Sequence, residues 1–165
     1  MIRRAGIEDL PEIQSLAEIV FRQTYKDILS PEQMEYMMDM MYSTRSLLSQ
    51  VQEQGNVFFL DDGRGYASIR FDRTDDGARK VFHLEKLYIL PEFQKTGLGR
   101  RLFDTAVAYA REESAGGPFR IELNVNRNNP ALGFYRHIGM EIALRGDFPI
   151  GNGYYMNDYI MSLDF

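Results

Sequence analysis

Apolar positions along the chain follow two rhythms, and the switches between them mark out the elements. Leu10, Ile13, Leu16, Ala17, Val20 and Phe21 keep one helix face, opened by Glu8, Asp9 and Pro11. A second helix starts at Ser30-Pro31-Glu32-Gln33, a cap followed by a first-turn proline, and helical pattern resumes through Leu47, Leu48 and Val51 to a turn at Gly55-Asn56. Strand patterns follow at Val57 to Leu60 and Tyr66 to Phe71, joined by Asp61-Asp62-Gly63-Arg64-Gly65, and at Val81 to Ile89 beyond a polar loop. With a short strand at Ile2 to Ala5, they predict an antiparallel meander. Leu98, Leu102, Phe103, Ala106, Val107 and Ala110 restore the helical period until Gly116-Gly117, and Pro118 to Val125 returns to alternation. Strand, helix and strand in succession imply a right-handed parallel crossover. A helix from Ala131 to Gly139 and strands at Glu141 to Leu144 and Tyr154 to Leu163, linked by a loop, complete the chain. The expectation is an α/β fold with a mixed central sheet, one parallel strand pair and about four flanking helices.

Length and composition fit this picture. With 165 residues, 44% of them hydrophobic, the chain suffices for one domain, residues 1-165, with a full core. It holds no cysteine, which removes thiol nucleophiles and cysteine-based metal sites and suits a reducing cytoplasm. No apolar run approaches a membrane span, and a net charge of -5 with scattered arginines argues against nucleic-acid binding. A cytoplasmic protein without membrane, nucleic-acid or metal partners is expected, its homodimerisation left open.

The chemistry concentrates between Val81 and Ser114. Strand, tight loop and helix meet there, and the loop reads Gln94-Lys95-Thr96-Gly97-Leu98-Gly99. Glycines let backbone approach a ligand, and the first-turn amides of the following helix point outward, so the loop has the physics of an anion cradle. Lys95, Arg100 and Arg101 crowd the positive end of the helix dipole, a placement that a bound polyanion would relieve. A dinucleotide fingerprint fails because its third glycine position holds Leu102, and no Walker lysine follows the glycines.

What remains, Gln-x-x-Gly-x-Gly between a strand and an amphipathic helix, resembles the coenzyme A loop of the GNAT superfamily of N-acetyltransferases, whose polyamine and small-amine branch is the nearest suggestion. A second signature supports the resemblance: Asn128, Ala131, Tyr135, Gly139 and Met140 match the family's spacing. The resemblance implies acetyl-CoA as cofactor, held by backbone at Leu87, Tyr88 and Ile89, by the loop from Gln94, Lys95, Thr96, Gly97, Leu98 and Gly99 to Arg100, and by Asn128 and Tyr135 across a cleft. It also implies a strand splayed from its neighbour by a bulge, Tyr135 as the acid that protonates the departing thiolate, and transfer of acetyl to a primary amine.

A base is sought at His83 and Glu85, which alternate on the central strand, on the face toward the cleft if Leu87 also looks there. His83 stands where the histone-acetylating branch carries a glutamate, and the pair resembles the His-x-His of the arylalkylamine branch. Histidine titrates near neutrality. For the acceptor wall the candidates are Tyr25, Met37, Met41, Phe148 and Tyr154, with Glu32, Glu35 and Asp39 at roughly helical spacing to attract a cation. A small amine is expected; protein or peptide amines, and a non-catalytic acyl-CoA-binding or regulatory module, are the alternatives.

Overall fold

A computed structural model describes residues 1–165. Seven strands form one sheet in the order β1-β2-β3-β4-β5-β7-β6. They are β1 (Ile2–Arg4), β2 (Val57–Asp61), β3 (Gly65–Thr74), β4 (Lys80–Ile89), β5 (Phe119–Asn126), β6 (Glu141–Gly151) and β7 (Tyr154–Asp164), and only β4 and β5 run parallel. The helices are α1 (Leu10–Tyr25), α2 (Pro31–Tyr42), α3 (Thr44–Gln52), α4 (Leu98–Glu113) and α5 (Ala131–His137). Ser30 caps α2, its hydroxyl accepting from the Gln33 amide at 3.1 Å. A second serine cap, Ser43 receiving the Ser46 amide at 3.2 Å, separates α3 from α2 and makes five helices of the expected four or so.

The sheet divides two apolar cores. On one face α4 lays Leu102, Phe103, Ala106 and Ala110 against Phe59, Ile69, Phe82, Leu84, Ile121 and Leu123. On the other, α1, α2 and α3 bury Ile13, Phe21, Met38, Tyr42 and Leu47 against Phe58, Leu60 and Tyr66. Strand β2 is buried along its whole length because alternate side chains enter the two cores. No helix is long and apolar enough to cross a membrane.

Two features of the sheet position the site. Strand β4 pairs with β5 only from Lys80 to His83, opposite Phe119 to Glu122; beyond that the strands part, while β5 continues along β7 to Asn126. On its other edge β4 carries an extra residue. Ser68 pairs with Lys86 and Ile69 with Leu84, leaving Glu85 unmatched in a β-bulge. The bulge resets the alternation, so Phe82 and Leu84 enter the α4 core, as do Leu87 and Ile89, while Tyr88 joins the α1–α3 side. This corrects the expectation that His83, Glu85 and Leu87 share one face.

The expected loop around Pro149, Gly151 and Gly153 is also replaced by structure. Strand β6 runs to Gly151, and a tight turn with Asn152 and Gly153 at positive φ joins it to β7. Pro149 is tolerated because β6 is the sheet edge, where a missing N–H breaks no ladder on the outer side.

Deep in the α1–α3 core the Tyr42 and Tyr66 hydroxyls meet at 2.6 Å, both residues almost fully buried. Burial raises both phenols well above their ordinary ionisation. Removing one hydroxyl orphans the other, so Tyr66→Phe is expected to cost about 1–3 kcal/mol in urea unfolding. The double variant with Tyr42→Phe should lose less than the sum of the singles; strictly additive losses would refute the coupling.

Candidate active site

The splay between β4 and β5 leaves one edge of β4 without a strand partner. In the antiparallel ladder with β3, the Leu90 amide donates to Arg64 O at 2.9 Å, and Tyr88 and Lys86 follow in the same hydrogen-bonding phase opposite Tyr66 and Ser68. Leu87 and Ile89 therefore turn their main-chain groups toward the open side, the two positions expected to pair with a pantetheine arm. Gln94 closes on this edge, its Nε2 donating to Ile89 O at 3.3 Å.

The loop behind the splay is built for close approach. Lys95 and Gly97 both adopt left-handed backbone, φ 63° and 86°, and Gly97 is the N-cap of α4. The Thr96 hydroxyl donates to Phe93 O at 2.6 Å and fixes the turn. The first helical bond runs from Arg101 N to Gly97 O, leaving the amides of Leu98, Gly99 and Arg100 without helical partners. A Cβ on Gly99 would lie 3.1 Å from Ile89 Cδ1, so a side chain there would crowd the strand–helix junction. Residues Gln94 to Gly97 are exposed, and Arg100 divides its charge with Asp104 at 3.0 Å. Open strand edge, left-handed loop and free helix amides fit a long phosphorylated cofactor.

On the α1–α3 side of the splay lies a cavity of about 350 Å³. Its floor is β4, through His83, Glu85, Lys86 and Tyr88; its far wall is Asn124 and Asn126 of β5 with Tyr155, Met156 and Asp158 of β7. Helices α1 to α3 supply Phe21, Tyr25, Met37, Met40, Met41 and Gln50. The β6–β7 hairpin is tied across α2, with Gln33 Nε2 donating to Tyr155 O at 2.9 Å and the Tyr36 hydroxyl to Ile150 O.

Of the expected acceptor residues, Tyr25, Met37 and Met41 line this cavity. Phe148 and Tyr154 do not: Phe148 folds over Gly146, and Tyr154 packs on Tyr36 with ring centroids 5.2 Å apart. Their places are taken by Tyr155 and Met156. Glu32, Glu35 and Asp39 lie on the exposed face of α2, and Glu35 is engaged by Arg22.

His83 and Glu85 both line the cavity, in different states. Glu85 is ion-paired with Arg70, which also holds Asp72 at 3.1 Å. Burial lowers the His83 imidazole below its ordinary value, with the Glu85 charge opposing, so the ring is neutral at physiological pH. Tyr135 is 7% exposed, packed edge-on to Phe134 within the α4 core. Its phenol is raised by burial and then by Tyr25, and stays protonated.

Asn128 is exposed, its amide donating to Asn126 Oδ1 at 2.9 Å. The neighbouring Asn129 turns inward, giving Nδ2 to the Tyr25 hydroxyl at 3.2 Å and taking the Ala131 amide on Oδ1 at 2.9 Å. Tyr25 also meets the Tyr88 hydroxyl at 3.2 Å, so side chains from α1, β4 and the α5 entry converge at the mouth of the splay. Sequence reasoning missed Asp158 and Lys86. Asp158 is 2% exposed, accepts from Asn124 Nδ2 at 3.2 Å, and burial raises its carboxyl above the ordinary range. The available signal was Asn157-Asp158 interrupting an otherwise apolar strand pattern.

A sheet opened beside a helix N-terminus, with a cavity on the opposite side, offers one approach for a long cofactor and another for a separate acceptor. Comparison identifies the family. The sequence pattern of the Acetyltransferase (GNAT) family matches residues 16–140, and the chain belongs to that family. It is similar to an uncharacterised N-acetyltransferase of Lactobacillus delbrueckii subsp. lactis, 27% identical over 113 residues that span 65% of each chain. An uncharacterised N-acetyltransferase of Mycobacterium bovis is 29% identical over 158 residues, 93% of this chain and 96% of that one. The crystal structure of PaiA N-acetyltransferase from Thermoplasma acidophilum in complex with coenzyme A shares the fold, with a TM-score of 0.77 at 24% identity over 100% of this chain and 98% of that one. As a family member the chain is an acetyl-CoA-dependent N-acetyltransferase.

Gly97→Glu should abolish acetyl-CoA binding in calorimetry, because it sets bulk and negative charge where the cradle offers amides. Gly97→Asn, which tolerates left-handed backbone, should bind far better. Equal binding by the wild type and both variants would remove the loop from the cofactor site.

Proposed function

We propose that the chain acetylates a small-molecule primary amine by direct attack, with His83 as the base and Tyr135 as the acid. The observation that carries this reading is the cavity of about 350 Å³ beneath a hairpin tied to α2, a volume that suits a small ligand. Acetyl-CoA supplies the acetyl thioester and the thiol that leaves. The main-chain groups of Leu87 and Ile89 align the cofactor arm, and the amides from Gln94 to Arg100 receive its phosphates. In the cavity, Asp158, Asn124 and Asn126 offer acceptors to the incoming ammonium. His83, neutral and beside them, takes a proton from the amine directly or through water. Glu85 is less suited to that role because Arg70 already holds it. Tyr135, protonated throughout, donates a hydrogen bond toward the departing sulfur; a phenol raised by burial is a weak acid, so it gives up its proton only as negative charge builds there. The exposed acids of α2 stand outside the cavity, so the narrower polyamine reading loses the residues that suggested it.

Thiol release in the presence of a panel of small amines and short peptides tests the proposal directly; turnover of peptides alone would overturn it. Tyr135→Phe should keep acetyl-CoA affinity near the wild-type value and lower kcat by roughly 10²- to 10⁴-fold. An unchanged kcat would make Tyr135 packing only.

The pH profile of kcat/KM follows from the state of His83 in the free enzyme. Because burial lowers its ionisation, the active neutral ring persists below pH 6.5, the ordinary imidazole value, and the acidic limb should fall below that point. His83→Ala should remove this limb. A limb that survives the substitution would assign the proton to another group.

A further inference from the structure

Lys86 is the one lysine or arginine among the residues lining the acceptor cavity, and it is only 4% exposed. Its ammonium donates to Gln50 Oε1 at 2.6 Å and lies 5.5 and 5.6 Å from the ring centroids of Tyr42 and Phe58. Gln50 is itself held, giving Nε2 to Met41 O at 2.8 Å and to Ser46 Oγ at 2.9 Å, so the lysine head is aimed by α3 rather than left to swing. It forms no ion pair: the adjacent Glu85 is engaged by Arg70. A buried cation is ordinarily matched by a carboxylate in contact with it; here Glu85 acts on the ammonium only from a distance, and the head has two further protons to donate. Without the bulge, Lys86 would share the face of Leu84 and lie under α4; the inserted Glu85 is what turns it into the cavity.

We infer that Lys86 is the seat of a carboxylate on the acceptor, so that the acceptor is an α-amino acid with an apolar side chain rather than a simple amine. This rests on the small-molecule reading above and narrows it. Opposite Lys86 the cavity carries Asp158 with Asn124 and Asn126, groups that accept from an ammonium, and Met37, Met41 and Met156 give an apolar, adaptable wall. One cavity thus offers a cation, an anion and a thioether-lined surface, the three parts of such a substrate. At about 8, the lowered lysine is still mostly charged at pH 7, and the cost of that charge is what an incoming carboxylate would offset. A purely structural lysine, holding α3 through Gln50, would leave acceptor choice untouched.

The test measures acetyl transfer at pH 7 to matched sets: leucine, leucinamide and isoamylamine; phenylalanine, phenylalaninamide and phenethylamine; methionine, methioninamide and 3-(methylthio)propylamine. Rates are expressed per free amine. The wild type is expected to favour the amino acid over both analogues in kcat/KM by roughly ten- to a hundredfold, the worth of a charge-assisted hydrogen bond. Lys86→Met should bring that ratio near one. The ratio is internal to one preparation, so partial unfolding of the variant lowers both rates without shifting it, and the wild-type preference is decisive even if the variant does not fold. Equal or better use of the amines by the wild type, or an unchanged ratio in Lys86→Met, overturns the inference while leaving small-amine acetylation standing. Failure of every small acceptor beside turnover of peptides overturns both.

Discussion

One extra residue in β4 governs the site. Glu85, unmatched opposite β3, shifts the side-chain phase of the strand, so that His83, Glu85 and Lys86 all reach one cavity while Leu87 and Ile89 remain anchored in the α4 core. A regular strand could place every second residue in the cavity and would bury Lys86 under a helix. The same strand loses its parallel partner after His83, so bulge and splay fall within a few residues of each other. Main-chain groups on one edge and polar side chains on one face thereby become available at the same place.

The two cores hold this opening apart. The α4 core clamps the first half of β4 to β5 through Phe82, Phe119 and Ile121, and the α1–α3 core takes hold of its second half through Tyr88 and Leu90. The α4 core also passes beneath the gap, with Leu87 and Ile89 on one side and Leu123 and Val125 on the other. At its mouth polar contacts are added: Asn129 to Tyr25, and Tyr25 to Tyr88, join the helix after β5 to β4. Hydrogen bonds at this point fix geometry without filling the space that a ligand requires.

Much of this was legible in the sequence. The Ser30-Pro31 cap, the amphipathic α4 and the glycine loop each rest on local rules, and local rules survive folding when burial does not oppose them. The bulge left a trace: apolar positions in β4 slip from Phe82 and Leu84 to Leu87 and Ile89, a change of phase that strict alternation forbids. What could not be read was anything set by register between distant strands. Asp158 enters the cavity because β7 pairs it with Asn126, and Phe148 and Tyr154 miss it because the hairpin continues as strand where a loop was expected. Asn128 and Asn129 show the limit at its finest: the motif names Asn128, while the direction of the turn brings its neighbour Asn129 inward.

The tyrosine cluster beneath the cavity sets the alkaline limit of the fold. Tyr42, Tyr66 and Tyr88 hold their protons far above the ordinary value of 10, so the unfolded chain releases protons there first and stability declines as pH rises past 10. Lys86, lowered to about 8 by burial and lying over the Tyr42 ring, works in the opposite sense: between about 8 and its ordinary 10.5 the folded chain binds fewer protons, and stability climbs. These two slopes meet between pH 10, the ordinary tyrosine value, and 10.5, the ordinary lysine value. A charge kept for function under neutral conditions is a burden on the fold, and it lifts only a step short of the point where the rings around it begin to fail.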